Sequence, residues 1–140
     1  MQVFIVGSPL ETAKALSKRH LNNQINEAKI ILAALNGAKA WSNHPCVLQY
    51  RGCEKWLKGY LRVLECHRRG NTRLAAFFDV ETERVRPDWH TQEYYDQMKR
   101  RLYTKDPEHY KQWADLGKSD CNWYFVDGVW RKYVNGKRVE

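Results

Sequence analysis

Residues 19–32 read RHLNNQINEAKIIL. At about 100° per residue, Leu21, Ile25, Ala28, Leu32 and Leu35 fall on one apolar stripe of a helix. Lys18, Asn22 and Lys29 lie opposite, on a solvated face. His20, Asn23, Gln24 and Glu27 follow the i, i+3, i+4, i+7 spacing and share the edge beside the stripe. A rim of amides, an imidazole and one acid is unusual there, because surface helices more often spread Lys and Glu along that edge.

The pattern predicts further elements on both sides. Residues 2–6, QVFIV, read as a short extended segment ended by Gly7. Ser8-Pro9-Leu10-Glu11 has the form of a capping box with proline at the first helical position. Helical pattern runs from Pro9 to about Leu35, with a bend near 20–23, and Asn36-Gly37 is the stop. A loop over 38–44 leads to Pro45 and a second helix with Leu57, Tyr60, Leu61 and Leu64 inward, ending in HRRGN. Residues 72–86 fit either a strand or a short helix. Thr91 caps a third helix with Tyr94, Tyr95, Met98 and Leu102 on one side, and Asp106-Pro107 opens a last helical turn carrying Tyr110 and Trp113. The end of the chain changes period. WYFV, VWRKYV and KRV are separated by Asp-Gly and Asn-Gly, which suit two-residue hairpin turns. A three-stranded meander is predicted over 122–139. The fold expected is mainly α: a compact helical domain over 1–114 with a small antiparallel β-meander over 115–140 packed on it.

Composition narrows the function classes. In 140 residues there are 24 Lys and Arg against 16 Asp and Glu, a net charge of +8. With pI near 9.4, that balance favours a polyanionic partner, nucleic acid first. Hydrophobic residues at 43%, with six Trp and eight Tyr, exclude a disordered chain. No apolar run approaches the length of a membrane span, and no basic leader precedes the short apolar start. Cys46, Cys53, Cys66 and Cys121 form no C-x-x-C pair and read as reduced thiols of a cytoplasmic protein. His44 near Cys46 and His67 beside Cys66 lack the paired spacing of structural zinc ligands, so no metal is expected. Arg68 and Arg69 either complement a helix C-terminus or contact phosphate. Lys99, Arg100, Arg101 and Lys105 either face solvent or form a phosphate track. Trp123, Trp130 and Tyr133 stand among Arg131, Lys132, Lys137 and Arg138; packing is favoured for most of these aromatics and contact for some of the bases.

Several segments together resemble the pyrimidine dimer DNA glycosylase family, the phage endonuclease V type. They are the His20-Leu21 to Glu27 spacing, the Glu65-Cys66 to Arg69-Gly70 helix end and the Pro107 to Tyr110-Lys111 stretch. The resemblance is nearer to a bacterial and phage branch. Its K-R-L-x-x-Q-x-x-E-A pattern is answered by residues 18–28, its W-x-N-H-P by Trp41 to Pro45 followed by Tyr50-Arg51-Gly52, and its K-D-P-x-x-Y by Lys105 to Tyr110. The similarity spans 10–114 and leaves the tail outside.

The resemblance implies a monomeric, metal-free and cofactor-free repair enzyme acting on double-stranded DNA, in a bacterial or phage-infected cytoplasm. A chain-terminal amine attacks the sugar C1′ of a damaged nucleotide, the base leaves, and β-elimination from the Schiff base cuts the strand. Glu27 is then the catalytic acid/base and Met1 the source of the amine, since a second residue as large as Gln2 leaves Met1 in place. An α-amine, with pKa near 8 against about 10.4 for lysine, needs little tuning as a nucleophile. Lys14 and Lys18 are the lysine alternatives. His20, Asn23, Gln24 and His44 are expected to line the site, and His44 also to cap the second helix. Lys18, Arg19, Arg51, Arg68, Arg69, Arg101, Lys105, Tyr110 and Lys111 are expected on the DNA. The family's arginines flanking the glutamate are answered by Asn26 and Ile30, which leaves the lesion open. A non-catalytic DNA-binding module and a phage enzyme excising or modifying another base stand as alternatives.

Overall fold

The computed structural model describes residues 1–139. Six α-helices and a 3-10 turn precede a three-stranded sheet, the mainly helical architecture with a C-terminal meander that the pattern predicts. Helix α1 spans Pro9–Ala15 and α2 spans Lys18–Leu35. The reciprocal capping box of Ser8 and Glu11 is formed. The interruption between the two helices lies at Leu16-Ser17 rather than at 20–23. Leu16 is extended, and the Ser17 side chain accepts the His20 N–H to start α2 afresh. The buried stripe of α2 is also rotated from the expected one. Ile31 and Ala34 are buried, whereas Leu32 and Leu35 are only partly so. Rotation toward the amide rim follows from what covers that rim: residues 2–6, all buried, lie against it.

The expected second helix is two. Short α3, Pro45–Gln49, is separated from α4, Glu54–Arg68, by a turn through Gly52 at φ 86°. The ambiguous stretch resolves as helix α5, Thr72–Glu83, started by the Asn71 side chain accepting the Leu74 N–H. It contributes little to the core, with only Ala75 and Thr82 buried. It crosses α4 at Gly59, where a methyl group would overlap Thr82. Helix α6, Gln92–Lys105, is capped by Thr91, and the last helical turn is a 3-10 segment over Lys111–Leu116. The core is heavily aromatic. Tyr50, Trp56 and Tyr60 stack in series, with ring centroids 5.5 and 5.1 Å apart.

Strands β1, Cys121–Val126, β2, Val129–Val134, and β3, Lys137–Val139, form an antiparallel meander in chain order. Cys121 pairs with Val134, Val126 with Val129 and Lys132 with Val139. Both turns place Asp or Asn and then Gly at positive φ: 54° and 76° at Asp127-Gly128, 52° and 76° at Asn135-Gly136. Tyr124 and Val126 join the same buried cluster as the helices, so the meander shares the helical core. Among the described residues, all four cysteines are free. No helix is long and apolar enough to cross a membrane.

Candidate active site

Residues 2–6 pair with no strand, yet they are buried, so their backbone groups need other partners. Side chains supply them. The Gln2 N–H donates to Glu27 Oε2 at 2.9 Å. Gln24 does the work of a neighbouring strand: its Nε2 donates to the Gln2 carbonyl at 2.8 Å and its Oε1 accepts the Phe4 N–H at 2.9 Å. Tyr60 donates its hydroxyl proton to the same Oε1 at 2.8 Å. Thr12 Oγ1 accepts the Val6 N–H at 3.0 Å. The amide rim of α2 is therefore divided in role. Gln24, only 2% exposed, holds the N-terminal segment, whereas Asn23 is exposed and Glu27 half-buried.

Beside this segment lies a cavity of about 340 Å³ lined by Phe4, Arg19, His20, Asn23, Gln24, Glu27 and Lys105. Glu27 is its only carboxylate and Arg19 and Lys105 are its cations. Lys105 Nζ sits 5.8 Å from the centre of the Phe4 ring. Partial desolvation of its ammonium in the cavity wall, with help from Arg101, lowers the Lys105 pKa although the residue as a whole is exposed. The Tyr110 hydroxyl accepts the Ser17 N–H at 3.0 Å and shares a hydrogen bond of 2.7 Å with His20 Nδ1. Burial lowers the His20 pKa, and the neighbouring Arg19 and Lys105 lower it further.

Met1 is partly buried against the core, and its carbonyl accepts the Tyr124 hydroxyl at 2.9 Å. His44 Nδ1 accepts the Cys46 N–H at 3.0 Å, as a helix cap should, which leaves the ring neutral. Burial lowers the His44 pKa, and so does the nearby terminal ammonium of Met1. The ring of His44 meets that of Tyr124 edge-on at 5.8 Å. Cys46, fully buried close by, is no thiolate: burial pushes its pKa up to about 12.

A family model described as pyrimidine dimer DNA glycosylase matches residues 1–78, more than half of the chain. The chain belongs to that family. Its members are DNA repair enzymes with glycosylase and abasic-site lyase activity, and their substrate is DNA. No curated protein and no solved structure matches the chain. Every cavity residue except Lys105 lies inside the matched stretch; Lys105, the Pro107–Tyr110 stretch and Tyr124 lie beyond it.

The expected DNA-contacting residues separate into two groups. Lys18, Arg19, Arg51, Arg69, Lys105 and Lys111 are exposed, and exposed Arg68 donates to Asn22 of α2 at 3.3 Å. Two others are committed elsewhere. Tyr110 is 0% exposed and holds Ser17 and His20, so its phenol does not reach a phosphate. The Arg101 guanidinium donates to the Ser119 carbonyl and to Asn122 Oδ1, both at 2.9 Å, which ties α6 to the start of β1. Its neighbour Arg100 likewise donates to the Leu116 carbonyl at 2.9 Å. Lys14 and Lys18, the lysines offered as alternative nucleophiles, are exposed and outside the cavity wall; Lys105, expected only as a DNA contact, is in it. Sequence reasoning missed Gln2, Phe4 and Tyr124. The apolar run over 3–6 was the available signal for the first two, since such a start must find a docking face.

Proposed function

We propose that this protein is a DNA glycosylase with abasic-site lyase activity whose nucleophile is the amine of Met1 and whose acid/base is Glu27. The observation that carries the reading is the bond from Gln2 N–H to Glu27 Oε2 at 2.9 Å. One residue spans at most ~3.6 Å, so the Met1 amine lies within one residue's reach of an atom already bonded to the carboxylate. The amine attacks C1′ of an extrahelical nucleotide, the base departs, and Glu27 moves protons as the ring opens and the imine forms. Arg19 and Lys105 line the same cavity as the carboxylate and supply cations for the phosphates beside the sugar, and exposed Lys18 and Arg68 extend that basic surface. Asn26 and Ile30 are exposed next to Glu27, where the resemblance places the family's arginines.

Borohydride trapping on a duplex with one abasic site tests the reading. A covalent adduct mapping to Met1 is expected. Glu27→Gln should slow strand cleavage by roughly 10²–10⁴-fold while leaving DNA affinity in place. An adduct at Lys105 would keep the lyase and replace the nucleophile. Tight DNA binding without any adduct would favour the non-catalytic binding module.

A further inference from the structure

The C-terminal sheet lies outside the matched family stretch, yet one of its side chains reaches the first residue of the chain. Tyr124 Oη donates to the Met1 carbonyl at 2.9 Å, and Glu27 Oε2 accepts from the Gln2 N–H at 2.9 Å. These two groups belong to one peptide unit. In a trans peptide the C=O and N–H point to opposite sides, so the unit is gripped from both. Glu27 holds it from α2 and Tyr124 from β1.

We infer that Tyr124 is a positioning residue for the Met1 amine, and that the C-terminal sheet completes the active site by clamping the first peptide. The inference rests on Met1 as the nucleophile. With the peptide plane fixed, the Met1 Cα is fixed too, and only rotation about its Cα–C bond moves the amine. A chain terminus otherwise frays, and a frayed amine samples the sugar C1′ rarely. The tyrosine is itself immobilised. Its ring is met edge-on by His44 at 5.8 Å and by Tyr133 at 5.3 Å. Its residue is 3% exposed and pairs with Arg131 across the ladder. Burial raises the phenol pKa, which keeps the hydroxyl a donor across the working pH range.

Tyr124→Phe removes the donor and keeps the ring. The test compares wild type, Tyr124→Phe and Tyr133→Phe in single-turnover borohydride trapping at saturating abasic duplex, with DNA affinity and thermal unfolding measured alongside. The expected result is a wild-type adduct at Met1. Tyr124→Phe should trap at least tenfold more slowly with affinity within twofold, and Tyr133→Phe should trap at the wild-type rate. A Met1 adduct forming equally fast in Tyr124→Phe overturns the clamp and leaves the nucleophile standing. Equal slowing in both variants, or slowing matched by lost affinity, also overturns it, because general damage to the sheet would then be the cause. An adduct at Gln2 overturns it as well, since Tyr124 would have no Met1 carbonyl to hold. An adduct at a lysine, or none in the wild type, removes the underlying nucleophile assignment instead.

Discussion

Residues 2–6, all buried, and residues 121–139, of which Tyr124 and Val126 are buried, are both non-helical chain whose backbone groups need partners. The C-terminal end finds them mostly within itself: each strand finds its partner two turn residues away and the ladder is local, while the Phe125 N–H of β1 donates to Gln49 Oε1 at 3.1 Å. The N-terminal end depends on side chains 6 to 25 positions distant, on Thr12, Gln24 and Glu27, with Tyr124 completing the set from 123 positions away. A ladder shares its load among many equivalent bonds. A segment held by single side chains has one indispensable partner at each point, and the proposed chemistry sits at its tip. Local changes in the sheet should therefore be tolerated, whereas single changes under the N-terminal segment should be felt in both stability and rate.

Gln24→Ala should give the largest effect on stability. It orphans the Gln2 carbonyl, the Phe4 N–H and the Tyr60 hydroxyl in a buried setting. At about 1–3 kcal/mol for each unsatisfied group, less what water entering the space recovers, a loss of roughly 3 kcal/mol is expected. Denaturant unfolding measures it, and trapping at saturating DNA should slow in the protein that remains folded. A loss under 1 kcal/mol would mean that the segment holds itself without α2.

The same contrast explains what the sequence made legible. Asp-Gly and Asn-Gly between alternating runs announce a meander because every determinant lies within a few residues. The capping boxes and stops of the helices are legible for the same reason. The role of Gln24 is not. Nothing in QINEA tells an amide that serves another segment's backbone from one that faces DNA, because its partners are residues 2, 4 and 60. Tyr110 and Arg101 are likewise engaged inside the protein: a phenol or guanidinium near a helix end looks the same in sequence whether it meets a phosphate, a histidine or a loop carbonyl. Glu27 was singled out because an acid on an amide edge departs from the usual Lys and Glu scatter, and the cavity does have that acid as its one carboxylate.

Acid should weaken both ends through neutral imidazoles. His20 and His44 flank the N-terminal site, and His90 lies behind the sheet, its ring 4.5 Å from that of Trp89, which in turn stacks on Phe125. All three have lowered pKa values. His90 is the extreme, brought to about 3 mainly by burial and then by Arg86. Below pH ~6.5 the unfolded chain takes up protons that these folded histidines refuse. The stabilisation is complete above that pH and is lost as the pH falls, for His90 until about 3. Each such group steepens the fall by up to about 1.4 kcal/mol per pH unit, so His90 alone removes roughly 2 kcal/mol by pH 5. His90→Phe should lower stability at neutral pH, by leaving the Tyr50 hydroxyl without its partner, and flatten the slope between pH 6.5 and 5. An unchanged slope would assign the acid sensitivity to the amine end.

Gly128→Ala sharpens the comparison from the tolerant side. Gly128 sits at φ 76° in the β1–β2 turn, and a methyl group there meets nothing within 4 Å. The cost is backbone strain alone, about 1–2 kcal/mol for a left-handed alanine. Six paired positions between β1 and β2 remain, so the ladder keeps its register and Tyr124 stays on the Met1 carbonyl. Thermal unfolding should move down by a few degrees. Trapping at saturating abasic duplex should stay within twofold of wild type. If trapping instead falls as far as in Tyr124→Phe, the sheet is not the self-sufficient end, and the amine depends on the whole meander rather than on one hydroxyl.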